Sequence, residues 1–372
     1  MTRQRQALLV ASVGLLFTAV LAVRVIIGAD GDPTVFVAFG EKATEVRAYA
    51  EARLGSVVLR PEQGHDGKFF FVQANDPWLL EPTENASVLD RPLYRSQRML
   101  FPLLAGGFGV FPPRVIVWAM VVLNLLALGV GTWVVALLAS EMGGSPWLGL
   151  AFALNLGFIS EMNIGGAGIV AAAAAFGAVL AFLRGRDGWG VVMLVLAVLS
   201  REAMLIAAVG SAWWLWRENR RRTSLFALAF PLSAVGLWAL YLRFRVGWDQ
   251  AAPQVQEIGI PFQGFISAAS SWLGDPVDFI TGITMLFLLL LYVRRVVLAG
   301  HLVGWAFLGF VLLAVVFTEQ VWRSYFDITR AVAPVITSFV LLMFVDPYRR
   351  TEGKGSSRPQ AWIRSGAKSG GQ

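Results

Sequence analysis

The feature that most constrains this chain is a series of apolar stretches, Ala7 to Val23 and Val115 to Ser140 among them, each near the roughly 20 residues that a helix needs to cross a bilayer. In hydrocarbon every backbone N–H and C=O must be satisfied internally, which leaves helices and closed barrels. These stretches are rich in Ala, Leu, Gly and Trp and lack period-two alternation, whereas barrel strands alternate over about 10 residues. The chain therefore reads as an all-α, polytopic helical membrane protein. Its 56% apolar and 15% charged residues and mean hydropathy of +0.63 agree.

Charge distribution sets the expected topology. A net charge of +7 would point a soluble protein toward nucleic acid. Here the basic residues fall in short loops between apolar stretches, which is the positive-inside pattern, so no nucleic-acid partner is expected. The first stretch follows Arg3 and Arg5, continues to Ile27 and lacks a small-x-small cleavage site. It reads as a retained signal anchor with a cytoplasmic N-terminus. Residues 28–113 then form a first large external loop with juxtamembrane helices. Later spans are expected at 146–160, 166–183, 224–242, 277–293, 301–318 and 329–345, with a split segment within 188–216.

Arg184 and Arg186 flank that split segment on one side, and Arg217, Arg220, Arg221 and Arg222 on the other. Both ends should be cytoplasmic, so the segment enters and returns. Each arm has about 14 residues, or roughly 20 Å, against a hydrocarbon core of about 30 Å. The pattern predicts a short-armed helical hairpin whose turn, "LSREAM", is recessed below the outer surface. Arg294, Arg295 and the C-terminal tail also land inside, giving about ten crossings of the cytoplasmic membrane with both termini cytoplasmic. Residues 1–350 form one transmembrane unit. Residues 351–372, rich in Gly, Ser, Lys and Arg, hold too little apolar surface to fold and are expected to be a disordered basic tail against anionic lipid. No internal repeat is evident.

With no cysteine, thiolate chemistry and disulfides are excluded, and two histidines, His65 and His301, exclude a histidine-rich metal site. There is no P-loop and no HExxH motif. Asn85-Ala86-Ser87 matches a glycosylation sequon, a match common by chance.

What remains is a set of charged residues in apolar company. The first loop gathers Asp30, Asp32, Glu41, Glu45, Glu51, Asp66, Asp76 and Asp90. In "HDGKFFF", residues 65–71, Gly67 lets the backbone approach a ligand, and Phe69, Phe70 and Phe71 can anchor the segment in the interface or a groove. A carboxylate there can take a proton from a sugar hydroxyl or hold a divalent ion, or the motif is a solvated Asp-Gly turn. In "DRPLYRSQRMLFPLLA", Arg91, Arg95 and Arg98 fall on one helical face and suit a lipid phosphate, or pair with external carboxylates. Arg201 and Glu202, at depth in the hairpin, line a polar cavity or fix the hairpin as an ion pair, because an unpaired charge there costs about 2.5–3.5 kcal/mol. In "EQVWRSYFDITRAVAPV", Arg323, Asp327 and Arg330 offer further forks or a salt-bridge ladder. Glu161 and Asn163 are weaker candidates at an external turn.

In order and spacing these segments resemble bacterial multispanning proteins of the GT-C glycosyltransferase superfamily, which carry a "YDGQFYY…DP…D.P.YR.QR.LYPLLA" pattern. Here it stands as "HDGKFFFVQANDP" and "DRPLYRSQRMLFPLLA", followed by "LSRE" and "FDITRAVAP". The resemblance implies transfer of a sugar, with inversion, from a polyprenyl-phosphate donor to a glycan or lipid acceptor at the outer face of the cytoplasmic membrane. It assigns the base or metal-holding acid to Asp66, with Asp32 as competitor, and allows a divalent cation, Mg or Mn, on them. It implies donor-phosphate or site-shaping roles for Arg95, Arg98, Arg201 and Arg330, with Glu202 and Asp327 as orienting partners. His65 and Lys68 depart from the pattern, which bears on substrate contacts. Two other classes compete: a transporter or flippase for lipid-linked substrates, and a catalytically silent scaffold of an envelope-polymer assembly.

Overall fold

A computed structural model describes residues 2–247, 258–272 and 274–344 of the chain. The basic tail 351–372 and the end of the last expected span lie outside the described residues. Among the described residues the regular structure is helical apart from one parallel pair of two-residue strands, Phe39–Gly40 and Leu59–Arg60.

Among the described residues, four helices are long and apolar enough to span a membrane: α1 (Arg3–Ile27), and, numbering in chain order past α2 (Thr44–Leu54), α3 (Gly67–Asn75), α4 (Pro82–Val88), α5 (Pro92–Arg95) and α6 (Leu100–Ala105), α7 (Pro113–Glu141). The others, beyond α8 (Leu150–Ala153), α9 (Leu156–Met162), α10 (Gly168–Leu183), α11 (Asp187–Ser200) and α12 (Leu205–Arg217), are α13 (Arg221–Val246) and, after α14 (Gln263–Trp272), α15 (Pro276–Ala299). The apolar windows of α1, α13 and α15 are only 22% buried by protein, whereas that of α7 is 67% buried. Helices so apolar and so little covered by protein are compatible with a membrane, and α7 is the most enclosed of the four. The described residues end with α16 (Leu302–Phe307), α17 (Gly309–Val316), α18 (Glu319–Trp322), α19 (Tyr325–Ala331) and α20 (Ala333–Met343). The pair α19–α20 bends by 65°, and counts as a fifth span if the two are one.

Several expected spans are not straight helices. The 146–160 stretch is a 3-10 turn at Pro146–Gly149 followed by α8 and α9. The cause is Asn155 at the break. Its Oδ1 accepts from Gly157 N at 2.9 Å, and its Nδ2 donates to Ala333 O at 2.8 Å and Thr337 Oγ1 at 3.0 Å. A polar side chain in an apolar stretch takes its partners from a neighbouring helix, and the helix ladder yields there. The 301–318 stretch is likewise divided, into α16 and α17. The 188–216 stretch is the expected hairpin: α11 has 14 residues, α12 has 13, and a 3-10 turn at Glu202–Met204 joins them.

The segment between α1 and α7 folds as a body of its own, packed on the first turns of α7. Phe39, Phe71, Phe101, Ile116 and Met120 form its core. The far end of α13 fastens onto it: Trp238 Nε1 donates to Ser96 O at 2.7 Å, Tyr241 OH to Trp78 O, and the Arg245 guanidinium to Leu79 O and Leu80 O.

Candidate active site

Asp66 stands at the N-terminal end of α3, where a carboxylate commonly caps the first turn. It makes no cap hydrogen bond. Gly67 explains the position of the helix start: a Cβ there would lie 2.3 Å from Ile164 O and 2.6 Å from Val37 O. Only glycine allows this crossing, so the Asp-Gly pair is a close-packing joint rather than a solvated turn. Behind it Phe69, Phe70 and Phe71 are all buried, with edge-to-face contacts from Phe71 to Phe39 and Tyr49 and from Phe70 to Phe101. The expectation of an interfacial aromatic anchor is therefore corrected. The three rings are core, and they hold the carboxylate rigidly.

With its own backbone unserved, the Asp66 carboxylate turns to arginines. Arg95 Nη1 donates to Oδ1 at 2.9 Å, Arg98 Nη1 to Oδ2 at 3.4 Å, and Arg330 Nη2 lies 3.8 Å from Oδ2. Each guanidinium is held by a second acid. Arg95 forks onto Asp90 with two bonds of 2.9 Å, and Arg98 forks onto Glu202 with two bonds of 3.0 Å. Arg330 Nε donates to Glu161 Oε2 at 2.7 Å, and its Nη1 to Asp327 at 3.2 Å. Arg201 shares a small internal space with Glu161, Gly168 and Arg330. It is the one cation of the group with no side-chain ion pair or hydrogen bond among the described residues. The side chains of Arg95, Arg98 and Arg330 are 12–15% exposed, so each would be costly unpaired, by several kcal/mol.

Glu161, a weaker candidate from the sequence, belongs to the same cluster. It is buried at the end of α9, and Gly168 N donates to its Oε1 at 2.9 Å. A Cβ on Gly166 would stand 2.3 Å from that oxygen, and one on Gly168 would stand 2.7 Å from it and 2.9 Å from Arg201 Nη1. The signal was legible: a lone acid in an apolar stretch, followed by "IGGAG", which wraps bare backbone around it.

Two other expectations are corrected. The expected tri-cationic helical face does not exist, because α5 stops at Arg95. Arg98 reaches Asp66 from the turn that follows, while Arg91 turns to Asp90 at 3.8 Å and to the Tyr94 ring. Arg323 lies between α18 and α19, off the face of Arg330, and is exposed. Asp32 lines a separate cavity of about 370 Å³ with Asp30, Arg114 and Trp118, where its Oδ1 accepts from Thr34 N at 2.8 Å. Asn85 of the sequon is buried and donates to Asp76.

Electrostatically, burial works to raise the Asp66 carboxyl, and the guanidiniums of Arg98, Arg330, Arg95 and Arg201 overturn that effect, holding it well below the usual carboxylate range. The neighbouring His65 is lowered from its ordinary value by burial, with Arg330 adding to it, so the imidazole beside the Phe326 ring is neutral at pH 7.

The arrangement offers fixed guanidinium forks matched to a phosphate and an ionised carboxylate. The cavity bounded by Asp66, Phe69, Gln73, Tyr94, Arg95 and Arg98 is only about 10 Å³, so it has no room for an anion while the arginines stay on their acids. A divalent cation does not fit this donor set as it stands, since both Asp66 oxygens face guanidiniums and Asp32 lies in the other cavity. Among the described residues, no group of three or more His, Asp or Glu could hold a metal ion. No protein-family model, curated protein or solved structure matches this chain.

Proposed function

We propose that the protein is a membrane glycosyltransferase of the GT-C kind, moving a sugar from a polyprenyl-phosphate donor to a glycan or lipid acceptor at the outer face of the cytoplasmic membrane. The observation that carries the reading is the convergence on Asp66 of arginines from three distant segments, Arg95, Arg98 and Arg330. The resemblance of the surrounding segments to that superfamily agrees with it. In this reading the chain crosses about ten times, with both termini cytoplasmic and residues 28–113 outside. The hairpin α11–α12 and the broken stretches contribute crossings that are short or bent.

The chemistry follows from the residues. The donor phosphate displaces the Asp66 carboxylate from Arg98 and Arg330, with Arg201, which has no acid of its own, as the first guanidinium to receive it. That displacement withdraws positive charge from Asp66, whose carboxylate regains the basicity that the arginines suppress. The acceptor hydroxyl oxygen then attacks the anomeric carbon while its proton passes to Asp66. The bond from the anomeric carbon to the phosphate oxygen breaks, and the phosphate keeps the electron pair. The forks stabilise the charge that grows on it, and Glu202, Glu161 and Asp327 hold those forks in place.

A second reading, a silent scaffold, draws on the complete pairing of Asp66 and the small space beside it. Transfer of radiolabelled sugar from polyprenyl-phosphate donors by the purified protein separates the two. Loss of more than about a hundredfold in Asp66→Asn is expected for a positioned base. An unchanged rate moves the base to Asp32. No transfer by wild type, with D66N supporting normal envelope assembly, favours the scaffold.

A further inference from the structure

A large apolar groove lies away from Asp66. It has a volume of about 480 Å³ between α7, α10 and α11, lined by Leu126, Val130, Ala174, Gly177, Leu180 and Met193 and open at the side of the helix stack. Its walls are apolar along nearly their whole length. Polar groups gather at one end, where Arg184, Arg186, Trp133 and Trp189 frame the mouth. Arg184 is exposed and paired with Glu141 at 3.0 Å. Arg186 is exposed and its guanidinium has no ion-pair or hydrogen-bond partner among the described residues. Trp189 is 62% exposed, in the position of an interfacial aromatic.

We infer that this groove is a binding site for one anionic phospholipid of the bilayer, with an acyl chain along α10 and the phosphate on Arg186 at the mouth.

Length, shape and charge each point to that occupant. From Val170 to Arg184 the lining runs fourteen residues of helix, about 21 Å at 1.5 Å per residue. One leaflet of a bilayer with roughly 30 Å of hydrocarbon is about 15 Å deep, so a single acyl chain fits within the groove while its headgroup stays level with the arginines. An apolar slot that opens to the lipid phase fills with hydrocarbon chains. The free guanidinium at its end selects the chain that carries a negative headgroup, with Arg221 and Arg222 adding to the basic field of that surface, while Arg220 is paired with Asp187. Gly177 supplies the width: a Cβ there would meet only Met193 Sδ at 3.7 Å and Cγ at 3.8 Å, so the groove is broad at this point and accepts a methyl but not a ring. The site does not depend on the Asp66 chemistry or on which face of the membrane is outside.

The test is native mass spectrometry of the full-length protein released from nanodiscs of phosphatidylcholine with and without phosphatidylglycerol, and from nanodiscs containing polyprenyl phosphate. Wild type should retain one phosphatidylglycerol and no comparable phosphatidylcholine. Arg186→Gln should retain it about fivefold less, the loss of one surface arginine at an anionic headgroup. Gly177→Phe should abolish retention while Gly177→Ala keeps it, and the alanine variant controls for folding. Equal retention of phosphatidylcholine and phosphatidylglycerol, preferential retention of polyprenyl phosphate, or wild-type retention by a folded Gly177→Phe protein would each overturn the inference.

Discussion

At Asp66 a single carboxylate organises three buried cations, and its replacement has two separable consequences. Asp66→Asn leaves Arg95, Arg98 and Arg330 sharing fewer acids. Because the aspartate side chain is still 29% exposed, solvent softens the cost to about 1–3 kcal/mol, read as a lowered thermal midpoint. The pH dependence has a definite sign. Asp66 is depressed in the folded state by the arginines, so its contribution is present above the unfolded carboxylate value near 4 and is lost as pH falls through the folded value. A plot of thermal midpoint against pH should therefore fall below about pH 4 in wild type and less steeply in D66N. His65 acts in an earlier window. Its folded value is lowered, so the unfolded chain takes up the proton first and stability declines as pH drops below about 6.5. His65→Gln should remove that first decline and leave the later one. Gly67→Ala tests the joint itself. A methyl 2.3 Å from Ile164 O must push α3 away, at about 1–3 kcal/mol, and should lower sugar transfer even though Asp66 is intact.

Among the elements, the breaks matter more than the helices. Each charged residue of the cluster sits at an end: Asp66 before α3, Arg95 at the end of α5, Glu161 near the end of α9, Glu202 in the turn between α11 and α12, and Arg330 near the end of α19. Helix ends bring exposed backbone groups and short side-chain reach to one place, which a continuous helix cannot. The Asn155 break does the same for α9. Its side chain ties that segment to α20, and Gly157 lets α9 meet α19, where a Cβ would stand 2.1 Å from Thr329 O. Asn155→Leu should cost about 1–3 kcal/mol by leaving polar partners without a mate, measured by thermal unfolding. The grip of α13 on residues 78–96 predicts a local effect. Arg245→Ala combined with Tyr241→Phe should speed hydrogen exchange across residues 76–96 while leaving α7 and α10 protected.

At the scale of the whole molecule, α7 packs between α1 and α10, α13 lies against α11 and α12, and the segment between α1 and α7 sits on the first turns of α7. Sidedness can be measured without background because the chain has no cysteine. An impermeant maleimide should label Ala48→Cys, on the exposed face of α2, in intact cells, and Arg222→Cys only after permeabilisation; the reverse would invert the proposed topology. Read alone, the sequence already determined that the protein is helical, apolar enough for a membrane, and divided by short basic loops. Those properties follow from local hydrophobicity and charge, which act over one helix length. It also singled out Asp66, Arg95, Arg98, Arg201, Glu202, Asp327 and Arg330, because a charge in apolar company is conspicuous in any context. Tertiary structure alone decided that these residues meet, that Arg91, Arg323 and Asp32 stand apart, that Glu161 belongs with them, and that the triple phenylalanine is core. Those outcomes depend on which helices break and how closely backbones cross at Gly67, Gly157 and Gly168. The crossings at Gly67 and Gly157 are set by contacts between residues about a hundred or more positions apart, and beyond the "IGGAG" that follows Glu161 no local pattern marks them.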